Sequence, residues 1–113
     1  MRKVSITLGL LAAVFFFQFC SSSKKAAKPV AMTYEKNIMP IIQANCAPCH
    51  IAGKGDKISL DNYTQASTVA DNIIERVQKN TGERGFMPAM HPKLSDSTIN
   101  LFVQWKNSGL PEK

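Results

Sequence analysis

Little in this sequence points to a nucleic-acid protein, a disulfide scaffold or a second domain. Its 113 residues leave room for one folded core and no other. A single site therefore carries the function. Leaving out Arg2 and Lys3, the 14 basic residues fall to 12 against 8 acidic ones, a net of only +4 beyond Cys20. The lysines are scattered, and the aromatic residues do not alternate with them, so no nucleic-acid patch is built. They read as solvated surface, with room for a docking role. Three cysteines are too few for a framework of bridges. Two of them, Cys46 and Cys49, are so close in sequence that a disulfide between them would close too short a loop to stabilise much. No alternating β-rich run precedes Cys46, which counts against a thioredoxin-like redox pair.

The one long apolar run lies at the N-terminus. Arg2 and Lys3 lead into Val4-Ser-Ile-Thr-Leu-Gly-Leu-Leu-Ala-Ala-Val-Phe-Phe-Phe17, the pattern of an export signal over residues 1–19. Its end, Phe17-Gln-Phe-Cys20-Ser21, resembles a bacterial lipoprotein signal, in which the cysteine is acylated and becomes the mature N-terminus. Phe19 departs from that pattern, because a small residue usually precedes the cysteine. Ordinary cleavage further on, or an uncleaved helical anchor, are the other readings. All three place the rest of the chain outside the cytoplasm; the expected location is the periplasm, anchored at the membrane as a lipoprotein. Residues 20–32 read as a flexible tether, since Ser21 to Pro29 is small, polar and basic with nothing to bury. Residues 33–113 are left for the domain.

Within that domain the chemistry concentrates at Cys46-Ala-Pro-Cys49-His50, the C-x-x-C-H sequence that attaches haem. Each thiol adds across a vinyl group to give a thioether. Two intervening residues make about one turn and bring the sulfurs to adjacent vinyl positions, while the histidine that follows reaches the iron. A zinc site would need four ligands, which Cys46, Cys49, His50 and His91 could supply.

Around the motif the pattern is helical. Ile38, Ile41, Ile42 and Asn45 recur at spacings of three and four, one apolar face leading into Cys46. Asn37 as N-cap would put Pro40 in the first turn, so the spacing predicts a start there rather than near Thr33. Leu60 and Tyr63 open a short helix, and Val69, Ile73 and Val77 mark a middle one ending near Lys79 or Asn80. Ser95 reads as the N-cap of the last helix, with Leu94 and Ile99 as its hydrophobic staple and Lys106 and Gly109 at its far end. Trp105 reads as core.

Taken together, Pro40 to His50, Leu60-Asp-Asn-Tyr63, Met87-Pro88 and Leu94-Ser-Asp96 followed by the Trp105 helix resemble the small c-type cytochromes with histidine and methionine ligation. The likeness runs from about Tyr34 to Gly109. It implies an all-α fold of three to four short helices around one covalently bound haem c. It also implies that His50 and Met87 are the axial ligands of the iron, Met87 because the family's ligand is commonly the methionine of a Met-Pro pair. Met90 and His91 are the rival sixth ligands. Met90 reads otherwise as a gap filler, and a second imidazole at His91 would lower the potential that a methionine raises. Many relatives hold the histidine Nδ1–H with a proline carbonyl just after the motif. This chain has no proline between Pro48 and Pro88, which leaves that part to some backbone carbonyl in residues 54–58.

The function the resemblance implies is one-electron transfer between redox partner proteins of a respiratory or periplasmic chain, without substrate chemistry. The alternative is a haem enzyme or a gas or redox sensor with an exchangeable sixth position. At about 80 residues the domain is at the small end of stable sizes. The haem is therefore expected to supply much of its core.

Overall fold

The structure, a computed structural model, describes residues 31–113. The export signal, Cys20 and nearly all of the tether lie outside the described residues. The described chain is all-α. A π-helical turn at Tyr34–Ile38 runs into α1 (Met39–Asn45), followed by α2 (Tyr63–Thr68), α3 (Ala70–Gln78) and α4 (Asp96–Asn107). This is the expected class and number of helices.

The first helix starts earlier than the sequence suggests. Thr33, not Asn37, is the N-cap, its hydroxyl accepting the Lys36 N–H at 3.4 Å. Asn37 instead turns back from inside the helix, its Oδ1 accepting the Thr33 N–H at 2.9 Å. Pro40 explains the difference. A regular α-helix through this point would want an N–H that Pro40 lacks. The chain widens by one residue just before it, the Met39 N–H reaching back to the Tyr34 carbonyl, and resumes α-geometry with Pro40 at the second position. Ile38 and Ile42 are fully buried, as their spacing predicts.

The later boundaries fall close to expectation. Asn62 caps α2, its side chain accepting the Gln65 N–H at 3.2 Å, while Leu60 stays outside the helix but buried. Ala70, Ile73 and Val77 form the buried face of α3, which ends at Gln78. Ser95 caps α4 by accepting the Thr98 N–H at 3.2 Å. At its other end the Leu110 N–H reaches the Trp105 carbonyl and the Gly109 N–H the Lys106 carbonyl, both at 3.0 Å. That pair of bonds turns the chain off the helix only if residue 109 is left-handed, which Gly109 is at φ +86°.

Helix α4 packs on α3 and on the π-helical turn. Trp105 and Phe102 sit at the centre, with the Tyr34 ring tilted against Trp105 at 5.8 Å and edge-on to Tyr63 at 5.7 Å. A short tail locks this cluster. The Pro111 carbonyl accepts from the Tyr34 N–H at 2.9 Å and the Trp105 indole at 3.0 Å, and the Leu110 carbonyl accepts from the Tyr63 hydroxyl at 2.9 Å. Tyr63 thus spends its hydroxyl on the fold.

Candidate functional site

The last turn of α1 delivers Cys46, whose N–H bonds the Ile42 carbonyl at 2.8 Å, and the chain then coils through Cys49 to His50, whose N–H bonds the Cys46 carbonyl at 3.1 Å. Residues 51–61 fold back over this turn. The Lys57 N–H donates to the Cys49 carbonyl at 3.3 Å, the Leu60 N–H donates to the His50 carbonyl at 2.8 Å, and Asp61 accepts the Ala52 N–H. Gly55 makes the fold-back possible. A Cβ there would lie 2.3 Å from the Cys49 carbonyl oxygen.

The fold-back settles which carbonyl faces the histidine. His50 Nδ1 lies 2.9 Å from the Ile58 carbonyl, inside the segment the sequence left open. A carbonyl can only accept, so Nδ1 carries the proton and Nε2 is the nitrogen left as a metal ligand.

The other half of the site is the loop after α3. The Met87 N–H donates to the Arg76 carbonyl at 3.2 Å, and Lys93 reaches back to the Gln78 carbonyl and to Asn80 Oδ1, at 3.3 and 2.9 Å. The loop is thereby held at both ends against the C-terminus of α3. Between this loop, the attachment turn and α3 lies a cavity of about 470 Å³, within the range of small-molecule and cofactor sites. Cys46, Cys49, His50, Met87, Met90 and His91 all line it. Ile73, Val77 and Leu94 give it apolar walls.

The three candidates on the loop differ in their surroundings. Met87 is half-buried beside a buried Pro88, whereas Met90 is 75% exposed. His91 Nε2 lies 3.3 Å from the Ala47 carbonyl, so that this ring straps the loop to the attachment turn.

The chemistry of the donor set fits a c-type haem. Two free thiols and an imidazole with one free nitrogen open on a carbon-walled space that also holds thioether sulfur. The rivals fit less well. Burial pushes the Cys46 thiol up to about 11, the opposite of the lowered value that thiol redox chemistry uses. Among the described residues no three His, Cys, Asp or Glu side chains converge as a zinc site requires.

Sequence reasoning missed Gly55 and Arg76. The Gly53-Lys-Gly55 spacing just past the motif signals a tight return, but nothing in the sequence marks Arg76. Among known families, a family model described as cytochrome C oxidase, cbb3-type, subunit III matches residues 35–105. No curated protein and no solved structure gives a significant match.

Proposed function

Because the chain belongs to the cytochrome c oxidase, cbb3-type, subunit III family, and so is a small mono-haem cytochrome c domain, we propose that it is an exported, membrane-tethered electron carrier. Cys46 and Cys49 hold the haem through thioethers, and His50 Nε2 and Met87 ligate its iron. When bound, the haem supplies a centre that takes up and returns one electron. The protein's residues exclude water from it, fix its ligands and present it to partners. No residue is assigned a catalytic role.

The observation that carries this reading is the division of labour at His50. Its Nδ1 is committed to the Ile58 carbonyl, leaving Nε2 in a cavity that also holds both thiols and Met87. For the sixth position, the exposure of Met90 and the bond from His91 to the attachment turn favour Met87. The partners are redox proteins of a respiratory or periplasmic chain, in keeping with the oxidase complex that the family description names. Residues 1–19 direct export and Cys20 carries the lipid anchor. Globomycin sensitivity or the mass of the mature N-terminus tests that step.

Protein matured in a competent periplasm should retain haem through denaturing electrophoresis, and no retained haem refutes the reading. The ferric visible spectrum should change in Met87→Ala and persist in Met90→Ala and His91→Ala. Loss in His91→Ala alone would overturn the ligand assignment. Carbon monoxide binding to the untreated reduced protein would favour the alternative, a haem enzyme or sensor with an open sixth position.

A further inference from the structure

The methionine loop is joined to the other two walls of the cavity in different ways. To α3 it is fastened twice, by the Met87 N–H on the Arg76 carbonyl and by the Lys93 ammonium on the Gln78 carbonyl and Asn80 Oδ1. To the attachment turn it is fastened once. The His91 ring places Nε2 3.3 Å from the Ala47 carbonyl, a contact between residues 44 apart in sequence. Among the described residues no other hydrogen bond or ion pair joins residues 83–93 to residues 45–61.

Burial singles out the same residue. Between buried Pro88 and buried Leu94, the side chains of Ala89, Met90, Pro92 and Lys93 are exposed, and His91 alone turns inward, half-buried on the cavity wall. The crest of the loop therefore has little apolar burial to hold it down. A turn aims the ring. The His91 N–H donates to the Pro88 carbonyl at 3.3 Å, with Pro88 and Pro92 limiting the backbone on either side. Because a carbonyl can only accept, Nε2 carries the proton in the bond to Ala47.

Resting on the haem reading above, we propose that His91 is the latch of the site, a positioning residue whose Nε2–H keeps the methionine loop closed on the attachment turn and so guards the Met87 position against small competing ligands. Without this bond the loop stays fastened to α3 at Met87 and Lys93 but is free at its edge on the attachment turn. An external ligand competes with Met87 only in molecules whose loop is open, so its apparent affinity reports the open fraction. One neutral hydrogen bond is enough to change that fraction several-fold, up to about tenfold.

The test titrates imidazole into the full-length haem-loaded ferric protein and follows the visible spectrum for the parent, His91→Ala, His91→Phe, His91→Gln and Thr33→Ala. Each should show the parental spectrum before imidazole is added. His91→Ala and His91→Phe should bind imidazole up to about tenfold more tightly than the parent, whereas His91→Gln, whose amide restores a donor at similar reach, should regain most of the parental resistance. Thr33→Ala removes the cap at the far end of the first helix and should leave the imidazole affinity alone, which separates the latch from a general loss of stability. In the reduced parent, the nitrogen NMR spectrum of the labelled His91 ring should show a protonated Nε2. Parental affinity in His91→Ala or His91→Phe, an equal gain in Thr33→Ala, or a bare Nε2 would overturn the latch while haem retention stands. Loss of the parental spectrum in His91→Ala before any imidazole would make His91 itself a ligand and overturn it as well. A parent protein with no covalent haem would overturn both readings.

Discussion

Placing a methyl group at Gly55 should disturb His50, the proposed iron ligand five residues away, without touching it. The backbone at Gly55 is not left-handed, so the constraint is one of space alone. An alanine Cβ there would meet the Cys49 carbonyl oxygen at 2.3 Å and the Cys49 Cα at 2.6 Å. Since real Cβ contacts essentially never fall below 3.0 Å, a contact at 2.3 Å forces a retreat of about 0.7 Å. Backbone, unlike a flexible side chain, cannot swing aside. The segment that retreats carries the Lys57 N–H, bonded to that same carbonyl at 3.3 Å, and the Ile58 carbonyl, 2.9 Å from His50 Nδ1. A shift of about 0.7 Å taken along the histidine bond stretches it to roughly 3.6 Å, where it no longer counts as one. Two bonds at about 0.5–1.5 kcal/mol each put the loss of stability near 1–3 kcal/mol. An imidazole that loses its Nδ1–H acceptor also donates less to the iron, so the potential should rise. Denaturant unfolding and a redox titration of the haem-loaded Gly55→Ala protein check both effects. Gly53→Ala is the control. Gly53 sits at φ +71° with nothing within 4 Å, so alanine there should cost only the left-handed strain, roughly 1–2 kcal/mol, and leave the potential alone. A Gly55→Ala protein with parental stability and potential would refute the steric reasoning.

Three further outcomes are expected. Ending the chain at Gly109 removes the carbonyls that hold the Tyr34 N–H, the Trp105 indole and the Tyr63 hydroxyl; at about 1 kcal/mol or more for each bond, it should lower the unfolding midpoint clearly, as read from Trp105 fluorescence. Ser95→Ala should cost about 1 kcal/mol through loss of the α4 cap, measured by denaturant unfolding, with the haem spectrum unaltered. Burial, with Asp61 and Glu112 nearby, holds the Tyr34 hydroxyl up to about 12 against an ordinary 10.0. The folded protein thus keeps this proton more firmly than the unfolded chain. The stability it supports is whole below pH 10 and falls as pH rises from there towards 12. The difference between the parent and Tyr34→Phe should shrink across that window, and a constant difference would contradict it.

What the sequence made legible is what rests on local rules. The Ser95 cap, the face formed by Ile73 and Val77, and the close of α4 at Gly109 each depend on residues within a turn or two of one another. The start of the first helix was misjudged for a related reason. Asn37 and Pro40 do form a good local start, but Thr33 also caps, and one widened turn lets the helix run from Thr33 past the proline. The aromatic cluster was hidden because its partners are far apart in sequence, Tyr34 with Trp105 and Tyr63 with the Leu110 carbonyl.

The site divides along the same line, and the division says where specificity in such a small domain resides. The proposed attachment motif is contiguous, because two thioethers and one ligand would have to fall on a single turn, and so it can be read directly. The groups that tune it are brought in by tertiary structure. The Ile58 carbonyl could not be singled out from residues 54–58, because any backbone carbonyl is chemically the same. A change to the motif should therefore abolish haem attachment outright. Gly55→Ala, which acts through the Ile58 carbonyl, should instead leave the haem in place and shift its stability and its potential, the latter being the property a carrier must match to its partners.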